Sequence, residues 1–367
     1  MSEWYTINNI DQLDTPALVV YPDRIKENIR ILKQFVPDVN RLRPHVKTNK
    51  CAEVCQLMMD EGIHKFKCAT IAEAEMLATI GAPDILLAYQ PVGPKVKRFI
   101  QLMKTFSTTQ FSCLVDNLES ATNLSDQAEK NGQTISVYID LNVGMNRTGI
   151  LPELALQLFS DLLHLKGIEI KGLHAYDGQL RDRDLEIRKA NCDKGFSKAE
   201  ELSKQINIQF GKSLIMVAGG TPSFPIHAQR NGVECSPGTF IFWDKGYQEL
   251  LPEQPFLFAA LVVTRIISKP AEDIVATDLG HKSIASENPI TNRVHFLNAP
   301  EVLPIGHSEE HLVLKISNNT FRVGDVLYGV PYHICPTVAL HETMSVVEKN
   351  KIVGNWTVVS RKRKISI

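Results

Sequence analysis

The chain has almost no charge excess: 40 Lys and Arg stand against 41 Asp and Glu in 367 residues, a formal net charge of −1. Bulk binding to nucleic acid or to an anionic membrane needs a basic surplus that is not there. The short run Arg361–Lys364 is too brief to supply one and reads as a solvated strand end. Long apolar runs are missing too. The longest, Phe256 to Val263, gives way to Thr264 and Arg265, far short of the ~20 residues a membrane-spanning helix needs. Residues 1–14 contain neither a basic nor an apolar leader segment, so no secretory signal is expected there. Seven cysteines, an odd number scattered from Cys51 to Cys335, argue against a disulfide framework and for a reducing cytoplasm. Cys51 and Cys55 have no nearby partner pair and read as packed thiols. No Gly-x-Gly-x-x-Gly follows any strand-like run, which counts against a doubly wound dinucleotide fold.

What remains is an ordinary globular balance, 44% hydrophobic and 22% charged. The length is enough for two domains, or for one large barrel with an appendage. Short apolar runs alternate with helical stretches between residues 41 and 240. The expected strands are Arg41–Lys47, Lys65–Ile71, Asp84–Gln90, Phe111–Asn117, Ser136–Val143, Ile168–Tyr176, Leu214–Gly219 and Val233–Phe240. Eight parallel strands alternating with helices over about two hundred residues is the count of a (β/α)8 barrel. Beyond about residue 255 the pattern changes to short β-branched runs separated by Gly, Pro and Asn, the texture of a mostly antiparallel β domain. The expected division is a barrel over residues 23–250 and a β domain built from residues 1–22 and 251–367.

In a barrel the chemistry collects at the C-terminal strand ends, and those ends here are polar. Lys47 closes the first run, within Arg43-Pro44-His45-Val46-Lys47-Thr48-Asn49-Lys50. Burial there would lower its pKa and make the amine a nucleophile able to form a Schiff base; a solvated basic loop formed with Arg43 and Lys50 is the alternative. Gly219-Gly220-Thr221 follows the seventh run. Two glycines let backbone N–H groups converge on an anion, and the same two residues also suit a plain tight turn. Arg147 sits in a Gly-containing loop after the fifth run and could neutralise an anionic oxygen or make a structural salt bridge. Tyr176 ends the sixth run and could bond a ring nitrogen or simply pack. His333 and Cys335 are spaced i, i+2; in an extended segment they share a face, a borderline-soft pair suited to zinc, unless they are a packed histidine and a buried thiol.

In this order the motifs resemble those of the fold-type III pyridoxal-phosphate enzymes, within them the D-threonine aldolase/D-serine dehydratase family. The resemblance spans nearly the whole chain. It rests on Asp14-Thr15-Pro16-Ala17, Arg43-Pro44-His45-Val46-Lys47-Thr48, Gly144-Met145-Asn146-Arg147-Thr148-Gly149 and Tyr176-Asp177-Gly178. Further matches are Gly219-Gly220-Thr221, Pro237-Gly238-Thr239, Ser308-Glu309-Glu310-His311 and His333-Ile334-Cys335-Pro336-Thr337. The resemblance implies that Lys47 holds pyridoxal 5'-phosphate covalently. Arg147 would face its phenolate oxygen, Tyr176 its pyridine nitrogen, and Gly219, Gly220 and Thr221 its phosphate. His333 and Cys335 would hold a divalent metal, zinc by preference. A homodimer is expected, with no nucleic-acid or membrane partner. Asn49 departs from the family, many of whose members carry histidine there.

The implied activity is a metal-dependent lyase acting on small D-3-hydroxy amino acids. Removal of the α-proton by Lys47 with loss of the hydroxyl would give a 2-oxo acid and ammonia. Removal of the hydroxyl proton instead would give glycine and an aldehyde. The His-x-Cys pair resembles the dehydratases, which favours the first route, with D-threonine aldolase-type cleavage the alternative. An amino-acid racemase would need a second acid/base and no metal. A bare cofactor-carrier barrel would lack the β domain.

Overall fold

The structure, a computed structural model, describes residues 3–317 and 320–367. Met1 and Ser2, at the head of the expected β-domain segment, lie outside the described residues. The chain divides into two compact units. One comprises the chain up to Ile31, Thr48–Val54 and Thr239–Arg361; the other comprises Leu32–Lys47, Cys55–Gly238 and Lys362–Ile367.

The chain begins with strand β1 (Ala17–Val20), then α1 (Pro22–Phe35) and α2 (Ala52–Asp60). A regular alternation follows: β2 (Lys65–Cys68), α3 (Ile71–Thr79), β3 (Asp84–Leu87), α4 (Pro94–Thr105), β4 (Gln110–Val115), α5 (Leu118–Lys130) and β5 (Ile135–Leu141). It continues through α6 (Pro152–Leu162), β6 (Ile168–Ala175), α7 (Leu185–Phe210), β7 (Ile215–Ala218), α8 (Phe224–Ala228) and β8 (Val233–Cys235). Strands β2 to β8 form one parallel sheet in sequence order. Their burial is nearly continuous, as in Ile135–Leu141, because helices cover the sheet and both strand faces must be apolar. Local signals punctuate the alternation. Thr70, Asn117 and Asp184 each accept a backbone N–H of the first turn of α3, α5 and α7, and Gly211, left-handed at φ 64°, ends α7.

The expected first strand, Arg41–Lys47, is not a regular strand. It joins the sheet through two isolated parallel bridges, Leu42 with Cys235 and His45 with Lys67. The segment therefore lies between β8 and β2 and serves as the eighth stave. Pro44 has no N–H to give a ladder, yet its carbonyl accepts from Lys67 N–H, and Arg43 N–H donates to the Cys235 carbonyl. The basic-loop alternative fails for Arg43. Its side chain is fully buried and bonds Glu234 at 2.6 Å and Asp84 at 2.6 and 3.0 Å.

After α9 (Lys245–Leu250), the unit that holds Thr239–Arg361 is built on β9 (Ala260–Ala271), the longest strand among the described residues, which pairs antiparallel with β1 and with β10 (Ile274–Thr277). Then come β11 (Val294–Phe296), β12 (Leu303–His307), β13 (Leu312–Lys315), β14 (Val326–Pro331), α10 (Ile334–Leu340), β15 (Thr343–Glu348) and β16 (Lys351–Thr357). All the pairings are antiparallel except β1 with β15. The N-terminal strand thus belongs to the β sheet, and Val19, Leu261, Val263, Tyr328 and Val330 share one core cluster.

Candidate active site

Three cations surround Tyr176, the residue just past β6. Arg147 Cζ lies 5.0 Å from the ring centroid, Lys47 Nζ 5.6 Å and Lys67 Nζ 5.5 Å, all within cation–π range. The ring occupies a slot that only glycine clears. A Cβ on Gly178 would come 2.5 Å from Tyr176 Cε1, and one on Gly220 2.9 Å from Cε2. Beside it opens a small cleft lined by Asp140, Asn142, Arg147, His174 and Tyr176, among others. Loop 142–149 carries Arg147 and is folded on itself: Asn142 Oδ1 accepts from Gly144 and Asn146 N–H, each at 3.1 Å.

Lys67 is the residue that sequence reasoning missed. It sits in β2 at 1% exposure, and its amine makes a long hydrogen bond, 3.4 Å to His174 Nε2. Burial, then the nearby Lys47, pushes its pKa down to about 7. His174 Nδ1 meets Asp140 Oδ1 at 2.7 Å. A carboxylate only accepts, so Nδ1 carries the hydrogen and Nε2 is the acceptor for Lys67. Burial holds His174 below its usual range, so this ring is neutral. Asp140 is raised by burial, but the His174 bond outweighs that and holds it low. Gln90 Nε2 extends the chain by donating to Asp140 and to Asp116, both at 2.9 Å, and Gly149 N–H donates to Asp116. A lysine within an apolar strand signature gives no outward sign of this environment.

The turn after β7 behaves differently from its sequence reading. The two glycine N–H groups expected to converge on an anion are turned inward: Gly219 N–H donates to the Ala175 carbonyl at 3.0 Å and Gly220 N–H to Ser223 Oγ at 3.3 Å. Thr221 Oγ1 accepts from Gly238 N–H at 3.2 Å. By the pairing of Ala218 with Cys235, Ser236, the residue after β8, stands level with Gly219. Its hydroxyl is buried without a hydrogen-bond partner among the described residues, and an anionic oxygen at this turn would satisfy it. A covalently attachable amine, a guanidinium, a tyrosine and an orphaned hydroxyl at adjacent strand ends fit a phosphorylated aromatic aldehyde.

In the β unit, His333 and Cys335 do not lie on an extended segment as expected. His333 is the N-cap of α10 and Cys335 falls in its first turn. His333 still meets both a sulfur and a carboxylate. Against the downward push of burial, the hydrogen-bonded Cys335 thiol and Glu287 hold His333 at about 9. His333 Nδ1 bonds the Glu287 carboxylate directly, and Cys335 Sγ lies 3.2 Å from Thr48 Oγ1. Imidazole, sulfur and carboxylate together fit a divalent cation of borderline softness.

Among the described residues, Asp177, Cys192 and His227 also bring ligand atoms within 4.8 Å of one another. Their hydrogen bonding explains them without an ion. Arg230 Nη1 donates to His227 Nδ1, which leaves His227 Nε2–H to donate to Asp177 Oδ2 at 2.9 Å. Burial pushes the Cys192 thiol up to about 12, so it stays protonated beside the half-buried Arg230 guanidinium.

Residues 20–245 match the family described as alanine racemase, N-terminal domain. The chain belongs to the alanine racemase family. Residues 259–347 match the domain described as "Putative serine dehydratase domain". Within this family of fold-type III pyridoxal-phosphate enzymes, the chain is 28% identical over 361 residues to a D-threonine aldolase of Arthrobacter sp, covering 95% of this chain and 93% of the relative. It is 25% identical over 369 residues to the D-threo-3-hydroxyaspartate dehydratase of Delftia sp. (strain HT23), covering 94% and 97%. The crystal structure of a D-threonine aldolase from Filomicrobium marinum superposes with a TM-score of 0.88 at 25% identity, covering 97% of this chain and 98% of that one. No helix among the described residues is long and apolar enough to cross a membrane.

Proposed function

We propose that this member of the alanine racemase family is a pyridoxal-phosphate- and metal-dependent lyase of D-3-hydroxy amino acids. The observation that carries the reading is the grouping of Lys47 and Arg147 around Tyr176 at the strand ends. Lys47 would hold the cofactor, Arg147 and Tyr176 would orient its ring, and Gly219, Gly220, Thr221 and Ser236 would seat its phosphate. The cofactor, when bound, supplies an electron sink for charge at the substrate Cα. His333 and Cys335 would hold the metal, which supplies a Lewis acid for the hydroxyl oxygen. Zinc is the proposed ion because the donors are nitrogen and sulfur. Lys47 Nζ would take the α-proton. Arg147 would keep the neighbouring anionic oxygen ionised, while burial holds His174 low and brings Lys67 down to about 7, which would weaken the positive charge beside it.

We favour β-elimination to a 2-oxo acid and ammonia, on the Cys335 thiolate in the metal pair. Retro-aldol cleavage is the second reading, favoured by the likeness to the Arthrobacter D-threonine aldolase. A cytoplasmic homodimer acting on a small D-amino acid, with no nucleic-acid or membrane partner, accompanies the proposal. Incubating cofactor- and zinc-loaded protein with D-threonine tests it. 2-Oxobutanoate with ammonia supports elimination; glycine with acetaldehyde supports the aldolase. Loss of either activity with EDTA, and its return with zinc, supports the metal. No product from D-threonine or D-serine, with cofactor bound, refutes the lyase reading.

A further inference from the structure

We infer that Asp177, acting through Ser223, is a positioning residue that fixes the Gly219-Gly220-Thr221 turn for a phosphate ester. The inference rests on the cofactor reading above and assigns a role to residues that reading does not use. Asp177 is buried, and its carboxylate bonds the back of the turn. Its Oδ1 accepts from Ser223 Oγ at 2.6 Å; its Oδ2 accepts from His227 Nε2 at 2.9 Å and faces Cys192 Sγ at 3.6 Å. Ser223 passes this restraint on. Its hydroxyl hydrogen is committed to Asp177, so its oxygen is oriented to accept Gly220 N–H at 3.3 Å. The Ser223 and Phe224 amides close on the Gly220 carbonyl at 3.3 and 3.0 Å. Both polar groups of the Gly220 residue are thereby fixed.

His227 holds the other glycine. A Cβ on Gly219 would lie 2.6 Å from His227 Cδ2 and 2.8 Å from Ser223 Oγ, so the turn is seated directly on the Ser–His pair. His227 is itself locked, with Nδ1 accepting from Arg230, whose other arm is paired with Asp193. A buried carboxylate with three donors is costly to assemble and rigid once satisfied. Rigidity of this kind is what the turn needs if Thr221, together with the neighbouring Ser236 hydroxyl after β8, is to meet an anion without reorganising.

The test compares pyridoxal 5'-phosphate with pyridoxal, which has the same aldehyde and ring but no phosphate. Full-length protein is stripped of cofactor, and binding of each is titrated by absorbance. Wild type should bind the phosphate ester more tightly. Ser223→Ala removes only the linking hydroxyl at a site where alanine fits. It should weaken pyridoxal 5'-phosphate about tenfold while leaving pyridoxal within twofold. Asp177→Asn, if it folds, should do at least as much; if it does not, Ser223→Ala decides the matter alone. Equal losses for both compounds, or no loss for the phosphate ester, overturn the inference. A wild type with no preference for the phosphate ester overturns the assignment of this turn as the phosphate seat. Covalent loading that survives Lys47→Ala overturns the cofactor reading instead.

Discussion

Replacing Lys67 by methionine should stabilise the protein near neutral pH and lose that advantage as the solution becomes alkaline. Methionine keeps the unbranched chain and its volume but removes the amine. The amine's pKa is about 7 in the fold against an ordinary value of 10.5, chiefly because the site is dry. Between those values the unfolded chain carries a proton that the native state does not, so wild-type stability climbs with pH at about 1.36 kcal/mol per pH unit. Over a gap of roughly 3.5 units that amounts to about 4–5 kcal/mol, borne in full at pH 7 and below and gone by about pH 10.5. The variant bears none of it. It does leave His174 Nε2 without its 3.4 Å partner, a cost of about 1–3 kcal/mol that does not vary over this range.

The expectation is a variant more stable than wild type by about 2–3 kcal/mol at pH 6.5, falling to parity and then below it by pH 10. Urea midpoints and slopes of both proteins at pH 6.5, 7.5, 8.5 and 9.5 measure it. A difference that is constant across these pH values would refute the reasoning, because it would mean that Lys67 keeps its proton in the fold. A difference that widens as pH rises would reverse its sign.

Two further substitutions probe the frame of the site. Gly149→Ala should disturb loop 142–149, since Gly149 has φ +97° and an added Cβ would lie 2.7 Å from both Asn142 N and Leu141 C; cofactor affinity should fall about tenfold through Arg147, a loss of ~1.4 kcal/mol measured by absorbance titration. Glu234→Ala strips Arg43 and Lys65 of a shared partner and leaves a fully buried guanidinium with Asp84 alone. Chemical denaturation should register a loss of about 3–5 kcal/mol, and Glu234→Gln a smaller one.

The alternation of apolar runs made the parallel sheet legible, because a strand covered on both faces must be apolar throughout. Ile135–Leu141 and Ile168–Ala175 stand close to where their composition put them. Regularity was less legible where proline intervenes: Arg41–Lys47 is in place but bridged rather than laddered. In the β unit, Leu303–His307 lies at the edge of its sheet and is largely exposed, so it carries little periodic signal. At the site, Lys47, Arg147 and Tyr176 could be named from their strand-end positions. Lys67 could not, because burial is a property of the fold and the alternating lysines of Lys65-Phe66-Lys67-Cys68 read as a solvated strand face. Glu287 and Ser236 were hidden for the same reason: one gains its role by meeting His333, the other by meeting no partner at all.

Gly220 shows how one residue can satisfy two readings, and a double-mutant cycle separates them. As part of a Gly-Gly turn it suggests an amide aimed at an anion; in the fold its amide is held by Ser223 and its bare Cα gives room to Tyr176. No left-handed backbone angle occurs at this residue, so alanine is excluded by the ring and not by the main chain. Gly220→Ala alone should cost about 1–3 kcal/mol, the usual penalty of overpacking, as Tyr176 Cε2 is driven from a 2.9 Å approach. In a Tyr176→Ala background the same substitution meets no ring, and nearly all of that cost should vanish as coupling energy. If the stability cost persists undiminished without the ring, Gly220 is not there to clear Tyr176. The anion reading would then have to explain it, through a loss of pyridoxal 5'-phosphate affinity equal in both backgrounds.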